Sequence, residues 1–108
     1  MTGALRALTI LNALIYFGAS AYHSGLLVPA GALAPASIAE ALLGLVLLIA
    51  LFGVISPRIA YVVVFVGTIF GLSIVIARGL LGVDLWIHVI MLAGLAAGLV
   101  LLFRRRAA

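Results

Sequence analysis

SIAEALLGLVLLIALFGVISPRIAYVVVFVGTIFGLSIVIARG, residues 37 to 79, holds two long apolar runs parted by a single Ser56-Pro57-Arg58 interruption. Each run is roughly 20 residues, the length a helix needs to cross a hydrocarbon core of about 30 Å. Between Ser37 and Ala77 only Glu40 and Arg58 are charged, so neither run has the polar face a soluble helix would show to water. Ser37 and Glu40 stand in the Ser-x-x-Glu spacing of a capping box, which predicts a helix start at Ser37. Ser56 supplies an N-cap and Pro57 a first-turn proline for the next helix. Arg78 and Gly79 close it, with a cation in the last turn and a glycine just after.

Outward from this stretch the pattern repeats. An apolar run extends from Leu5 to about Leu27, and Val28 to Ala36 forms an uncharged Pro/Gly/Ala connection. Asp84 is placed to N-cap a last run that ends near Phe103. The expectation is an all-α fold: one membrane domain over residues 1–108, a four-helix transmembrane bundle with short connections and helices at about 5–27, 37–55, 57–78 and 84–103. With 69% of residues hydrophobic and 7% charged, and a mean hydropathy of +1.55, the composition leaves no room for a soluble domain. The basic start, apolar stretch and Ala19-Ser20-Ala21 triplet also outline a cleaved secretory signal. That run is long for a signal, and Asn12 and Tyr16 interrupt it, so it is read as a retained span.

Charge sets the expected orientation. Arg6, Arg58 and the run Arg104, Arg105 and Arg106 fall on one side if four helices alternate, which places both termini in the cytoplasm. Trp86 and Tyr22 then fall near the outer headgroups, where amphipathic rings are favoured. The net charge of +4 accordingly reads as topology rather than nucleic-acid binding. Six arginines without a lysine, among abundant alanine and glycine, suggest a GC-rich bacterial genome and hence the bacterial inner membrane. There is no cysteine, which removes disulfides, thiolate metal sites and cysteine nucleophiles together.

Helical periodicity gathers the few polar groups. Thr9, Asn12, Tyr16, Ser20 and His23 share one face of the first helix, a stripe too polar to meet lipid. Gly67 and Gly71 on the third helix, and Gly94 and Gly98 on the fourth, have the small-xxx-small spacing of close helix packing, within the bundle or against a partner. At the outer end every helix brings at least one ionisable side chain to a similar depth: His23, Glu40, Arg78, Asp84 and His88. Structural duties account for several of them, since Glu40 sits in a capping box, Asp84 at an N-cap and Arg78 at a helix end. The histidines sit at no cap, and ionisable groups inside spans are costly enough to carry function by default.

This outer cluster is the candidate ligand-binding site. The leading expectation is a non-catalytic membrane component that binds a small ligand, an ion or a protein partner there, within a homo-oligomer or a larger membrane complex. A small homo-oligomeric transporter using the His/Asp/Glu groups is the alternative. A third reading takes His23 and His88 as ligands of a divalent metal, or as the bracket of a b-type haem. No serine nucleophile arrangement, phosphate-binding glycine loop or nucleic-acid motif is legible, so no catalytic residue is expected.

The stretch Asp84-Leu85-Trp86-Ile87-His88-Val89-Ile90-Met91, together with Glu40-Ala41-Leu42-Leu43-Gly44, resembles small four-helix integral membrane proteins of bacteria. The likeness concerns the general plan and implies no activity. The chain also has the size of the small multidrug exporters, but its first helix lacks an acidic residue.

Overall fold

Local sequence sets each helix boundary, and the boundaries fix which side chains face inward. The computed structural model describes residues 1–25 and 33–107, with side chains as far as Arg104. Four helices follow one another: α1 (Gly3–His23), α2 (Ala34–Leu51), α3 (Pro57–Ala77) and α4 (Val83–Ala107). All four are long and apolar enough to cross a membrane. The Thr2 hydroxyl caps α1 by accepting from the Leu5 N–H at 3.2 Å. Ser56 caps α3 by accepting from the Arg58 N–H at 3.3 Å, with Pro57 in the first turn as its sequence position predicts. Replacing that serine by alanine is expected to cost about 0.5–2 kcal/mol, read as a lower unfolding temperature in detergent.

Several boundaries depart from the sequence reading. α2 begins at Ala34 rather than Ser37, with Leu33 as an N-cap that makes no side-chain bond and Pro35 in the first turn. The capping box therefore does not form. Ser37 and Glu40 lie inside the helix because both are drawn to α1: Ser37 exchanges hydrogen bonds with Ser20, and Glu40 binds His23. α2 also stops at Leu51, ahead of Ile55, because Gly53 takes a φ of +81° that turns the chain. Asp84, expected as an N-cap, lies within α4, which starts at Val83 and runs on to Ala107. Its carboxylate faces His23 instead of its own helix end. α1 ends at His23, short of the expected Leu27, with Ser24 as its C-cap and Gly25 at a φ of +83° turning the chain. Residues 26–32 lie outside the described residues, as do the side chains of Arg105 and Arg106.

Each helix packs against its two neighbours in chain order, and α4 returns to α1 to close the ring. The bundle measures 46 × 24 × 17 Å, so its long axis exceeds a hydrocarbon core and its cross-section is two helices wide. The core runs along the axis through Leu5, Leu47, Tyr61, Val64, Met91 and Leu95. Outside it, large apolar side chains such as Leu14, Val66, Phe70, Trp86 and Phe103 remain exposed.

Glycine permits the closest approaches. A Cβ at Gly94 would overlap the Asn12 side chain, and one at Gly98 would overlap the Tyr61 ring. Gly67 faces Leu43 of α2, and Gly71 faces His88 of α4. All four glycines thus make room for neighbours inside the bundle.

Candidate functional site

The polar stripe of α1 is the inner spine from which the site is built. Thr9, Asn12, Tyr16 and His23 are each no more than 1% exposed, and Ser20 is half-buried. Each finds a partner on another helix. Thr9 donates to the Leu5 carbonyl at 2.7 Å, so the Tyr61 hydroxyl, 2.9 Å away, must donate to Thr9. Tyr61 in turn accepts from the Asn12 amide at 3.2 Å, and the same amide donates to the Gly94 carbonyl at 3.1 Å. This chain ties α1, α3 and α4 together in the lower half of the bundle. Further out Thr68 donates to the Val64 carbonyl at 2.7 Å, so Tyr16 must donate to Thr68. Ser20 and Ser37 then lock α1 to α2, each hydroxyl donating to the other residue's carbonyl, at 2.7 and 2.8 Å.

His23 completes the stripe and binds two acids at once. Its Nδ1 lies 2.6 Å from Glu40 Oε1 of α2, and its Nε2 is hydrogen-bonded to Asp84 Oδ1 of α4. One imidazole thereby joins three helices. The proton inventory of this trio follows from geometry. A neutral imidazole has one N–H and one lone pair, and a lone pair facing a carboxyl oxygen requires that carboxyl to be protonated. Either the ring is an imidazolium between two carboxylates, or it is neutral between a carboxylate and a carboxylic acid. Both distributions leave the trio with one net negative charge, and one further proton on the unpartnered Glu40 Oε2, which the contact at Oε1 permits, makes it neutral. Glu40 is only 6% exposed, yet its second oxygen, Oε2, has no hydrogen-bond partner.

The remaining sequence candidates fall around this trio unequally. His88 is buried, and its Nδ1 donates to the backbone carbonyl of Asp84 at 2.8 Å, not to the carboxylate. The tautomer this bond fixes leaves the Nε2 lone pair against the Gly71 side of α3. Arg78 does not join the cluster. It is the exposed C-cap of α3, its backbone N–H bonded to the Ile74 carbonyl, and its guanidinium reaches only the rim, with no hydrogen bond or ion pair among the described residues. The metal reading has no ligand set here: among the described residues no group of three or more His, Cys, Asp or Glu side chains is placed to hold an ion. A haem bracketed by two histidines is likewise not set up, because both His23 nitrogens are engaged by carboxylates.

A cavity of about 350 Å³ opens beside the trio, with Tyr16, His23, Glu40, Thr68, Asp84 and His88 among its walls. The rest of the lining is mostly aliphatic and aromatic, from Leu43, Phe70, Ile74 and Met91 among others. Ala39 of α2 and Phe70 and Ile74 of α3 line it and are also exposed on the outside of the bundle. The mouth therefore lies between α2 and α3. Sequence reasoning missed Tyr61, Thr68 and Ser37 as partners of the stripe. A signal was present for the first two, since they are the polar interruptions of one apolar run and, two turns apart, share a face.

No family model matches the chain, and neither a curated protein nor a solved structure matches it.

Proposed function

We propose that this protein is a small multi-pass membrane component that binds a small ligand in the cavity between α2 and α3, with the His23, Glu40, Asp84 and His88 cluster as its polar end. One observation carries the reading: a mostly apolar cavity ends on an ionisable trio in which the buried Glu40 keeps one oxygen unpartnered. Pockets for small molecules have this composition, an apolar wall with a few convergent polar groups. Ionisable residues at membrane depth are retained against a cost of several kcal/mol each, roughly 2.5–3.5 on insertion scales, which argues for a use. Exposed apolar faces on all four helices support placement in hydrocarbon. The arginine distribution supports cytoplasmic termini in a bacterial inner membrane, with reporter fusions at each terminus as the check. In this reading the chain has no catalytic role, and it works as a homo-oligomer or beside a larger membrane partner.

Native mass spectrometry of protein released from mild detergent tests the binding. A small molecule should be retained by the wild type and lost in Ala39→Trp, which fills the mouth from an exposed position. Equal retention by both, or none by either after extraction from intact membranes, would contradict the reading. The unpartnered Glu40 oxygen also supports a second reading, a homo-oligomeric transporter that exchanges its ligand against protons. Flux in proteoliposomes that disappears in Glu40→Gln while assembly persists would favour it.

A further inference from the structure

We infer that the cavity takes a primary ammonium group carried on an apolar chain, with its N–H donors directed at Glu40 and His88. The inference rests on the binding reading above and names the chemistry of its ligand. Its basis is the hydrogen-bond polarity of the walls. The Thr68 proton is committed to the Val64 carbonyl and the Tyr16 proton to Thr68. The His88 proton on Nδ1 is committed to the Asp84 carbonyl, and the protons shared by the trio lie between His23 and its two acids. What remains, with Glu40 Oε2 unprotonated, is a set of acceptors: Glu40 Oε2, the Nε2 lone pair of His88 and the lone pairs of Tyr16 Oη.

Charge points the same way. The ionisable groups facing the cavity are Tyr16 and His23 of α1, Glu40 of α2, Arg78 at the end of α3, and Asp84 and His88 of α4. With Glu40 Oε2 unprotonated the trio contributes one net negative charge at the buried end, and among the described lining residues the fixed positive charge, Arg78, is exposed at the rim. A ligand that presents N–H donors and a positive charge inward matches the buried end on both counts. A carboxylate would face acceptors and a like charge. An apolar chain would be held by the Leu43, Phe70, Ile74 and Met91 walls, and it could enter sideways from lipid through the α2/α3 mouth.

An ammonium of this kind has two sources, a free alkylamine or an ethanolamine lipid headgroup. In the second case the phosphate would sit toward Arg78 at the rim. The protein in phosphatidylcholine nanodiscs would be titrated with decylamine, decanol, decanoate, trimethyldecylammonium and lysophosphatidylethanolamine, with binding followed by native mass spectrometry and unfolding temperature. Decylamine is expected to bind at least about tenfold more tightly than decanol, decanoate or the trimethyl analogue, the scale of one desolvated charge-assisted contact. The preference should fall in Glu40→Gln, and Ala39→Trp should abolish binding. Comparable or tighter binding of lysophosphatidylethanolamine, weakened by Arg78→Gln, assigns the site to a lipid headgroup, and its absence assigns it to free amines. Equal binding of decylamine, decanol and decanoate, all lost in Ala39→Trp, overturns the ammonium assignment but leaves the cavity reading standing. No binding of any probe overturns both. Equal binding of the trimethyl analogue and decylamine overturns the donor geometry.

Discussion

Substitution of His23 by alanine is expected to lower the stability of the bundle more than any other single change at the end that carries the trio. The imidazole lies between two carboxylates on different helices and is itself buried. Its removal leaves Glu40 and Asp84 facing an empty space with no positive charge or proton donor between them. Breaking a buried ionic contact by deleting one partner costs about 3–5 kcal/mol. Against a total stability on the order of 5–15 kcal/mol, that is a large fraction. An ordinary neutral hydrogen bond, such as either of those between Ser20 and Ser37, contributes only about 1 kcal/mol. The unfolding temperature in detergent should therefore fall sharply in His23→Ala and little in Ser37→Ala. Because the cost comes from abandoned carboxylates, neutralising them should recover much of it: the triple variant His23→Ala, Glu40→Gln, Asp84→Asn should melt above His23→Ala alone. A single variant that melts with the wild type would show that the trio does not hold the helices.

The second large effect is expected at the glycines of α4. A side chain at Gly94 would overlap Asn12, whose amide already bridges the Gly94 carbonyl and Tyr61. One at Gly98 would overlap the Tyr61 ring, which is fully buried and has nowhere to go. Overpacking of this kind costs about 1–3 kcal/mol where neighbours can shift. Gly98→Leu should sit at or above the top of that range and impair recovery of folded protein, since it pushes α4 away from α3 as well as displacing the tyrosine. The control is Gly18 on α1, where an added Cβ meets nothing. Gly18→Ala should be neutral or stabilising by roughly 0.5–1 kcal/mol through helix propensity alone. Unfolding midpoints of Gly98→Leu, Gly98→Ala and Gly18→Ala measured side by side would rank these effects. Equal midpoints would contradict the close approach of α4 to α3.

How much of this was legible in the sequence depends on the range of the interaction concerned. The four helices were legible because membrane-length apolar runs are a property of composition over many residues, which no tertiary contact overrides. The caps at Ser56 and Arg78 were legible because the partners are local. Ser37, Glu40 and Asp84 were misplaced for the opposite reason. Each has a side chain suited to capping, but the half-buried Ser20 hydroxyl or the buried His23 imidazole on α1 offers a drier and stronger partner than water at a helix end. A capping rule cannot see a partner 17 or 61 residues away. The inward turn of Thr9, Asn12, Tyr16 and His23 followed from periodicity and the cost of polar groups in lipid, and the buried side chains sit there. Arg78 reached the same depth by sequence position, yet as a C-cap it occupies the exposed end of α3 and touches only the cavity rim. The cavity itself was illegible, because its lining comes from all four helices and not from any one residue.

His23 bridges two acids on different helices, and nitrogen-15 NMR of histidine-labelled protein in nanodiscs reads that bridge most directly. Both ring nitrogens of His23 should report hydrogen bonding to a carboxyl group, the Nδ1 signal should move in Glu40→Gln, and the Nε2 signal should move in Asp84→Asn. A His23 ring with one free nitrogen, unchanged by either substitution, would contradict the trio and the net charge on which the proposed ligand chemistry depends.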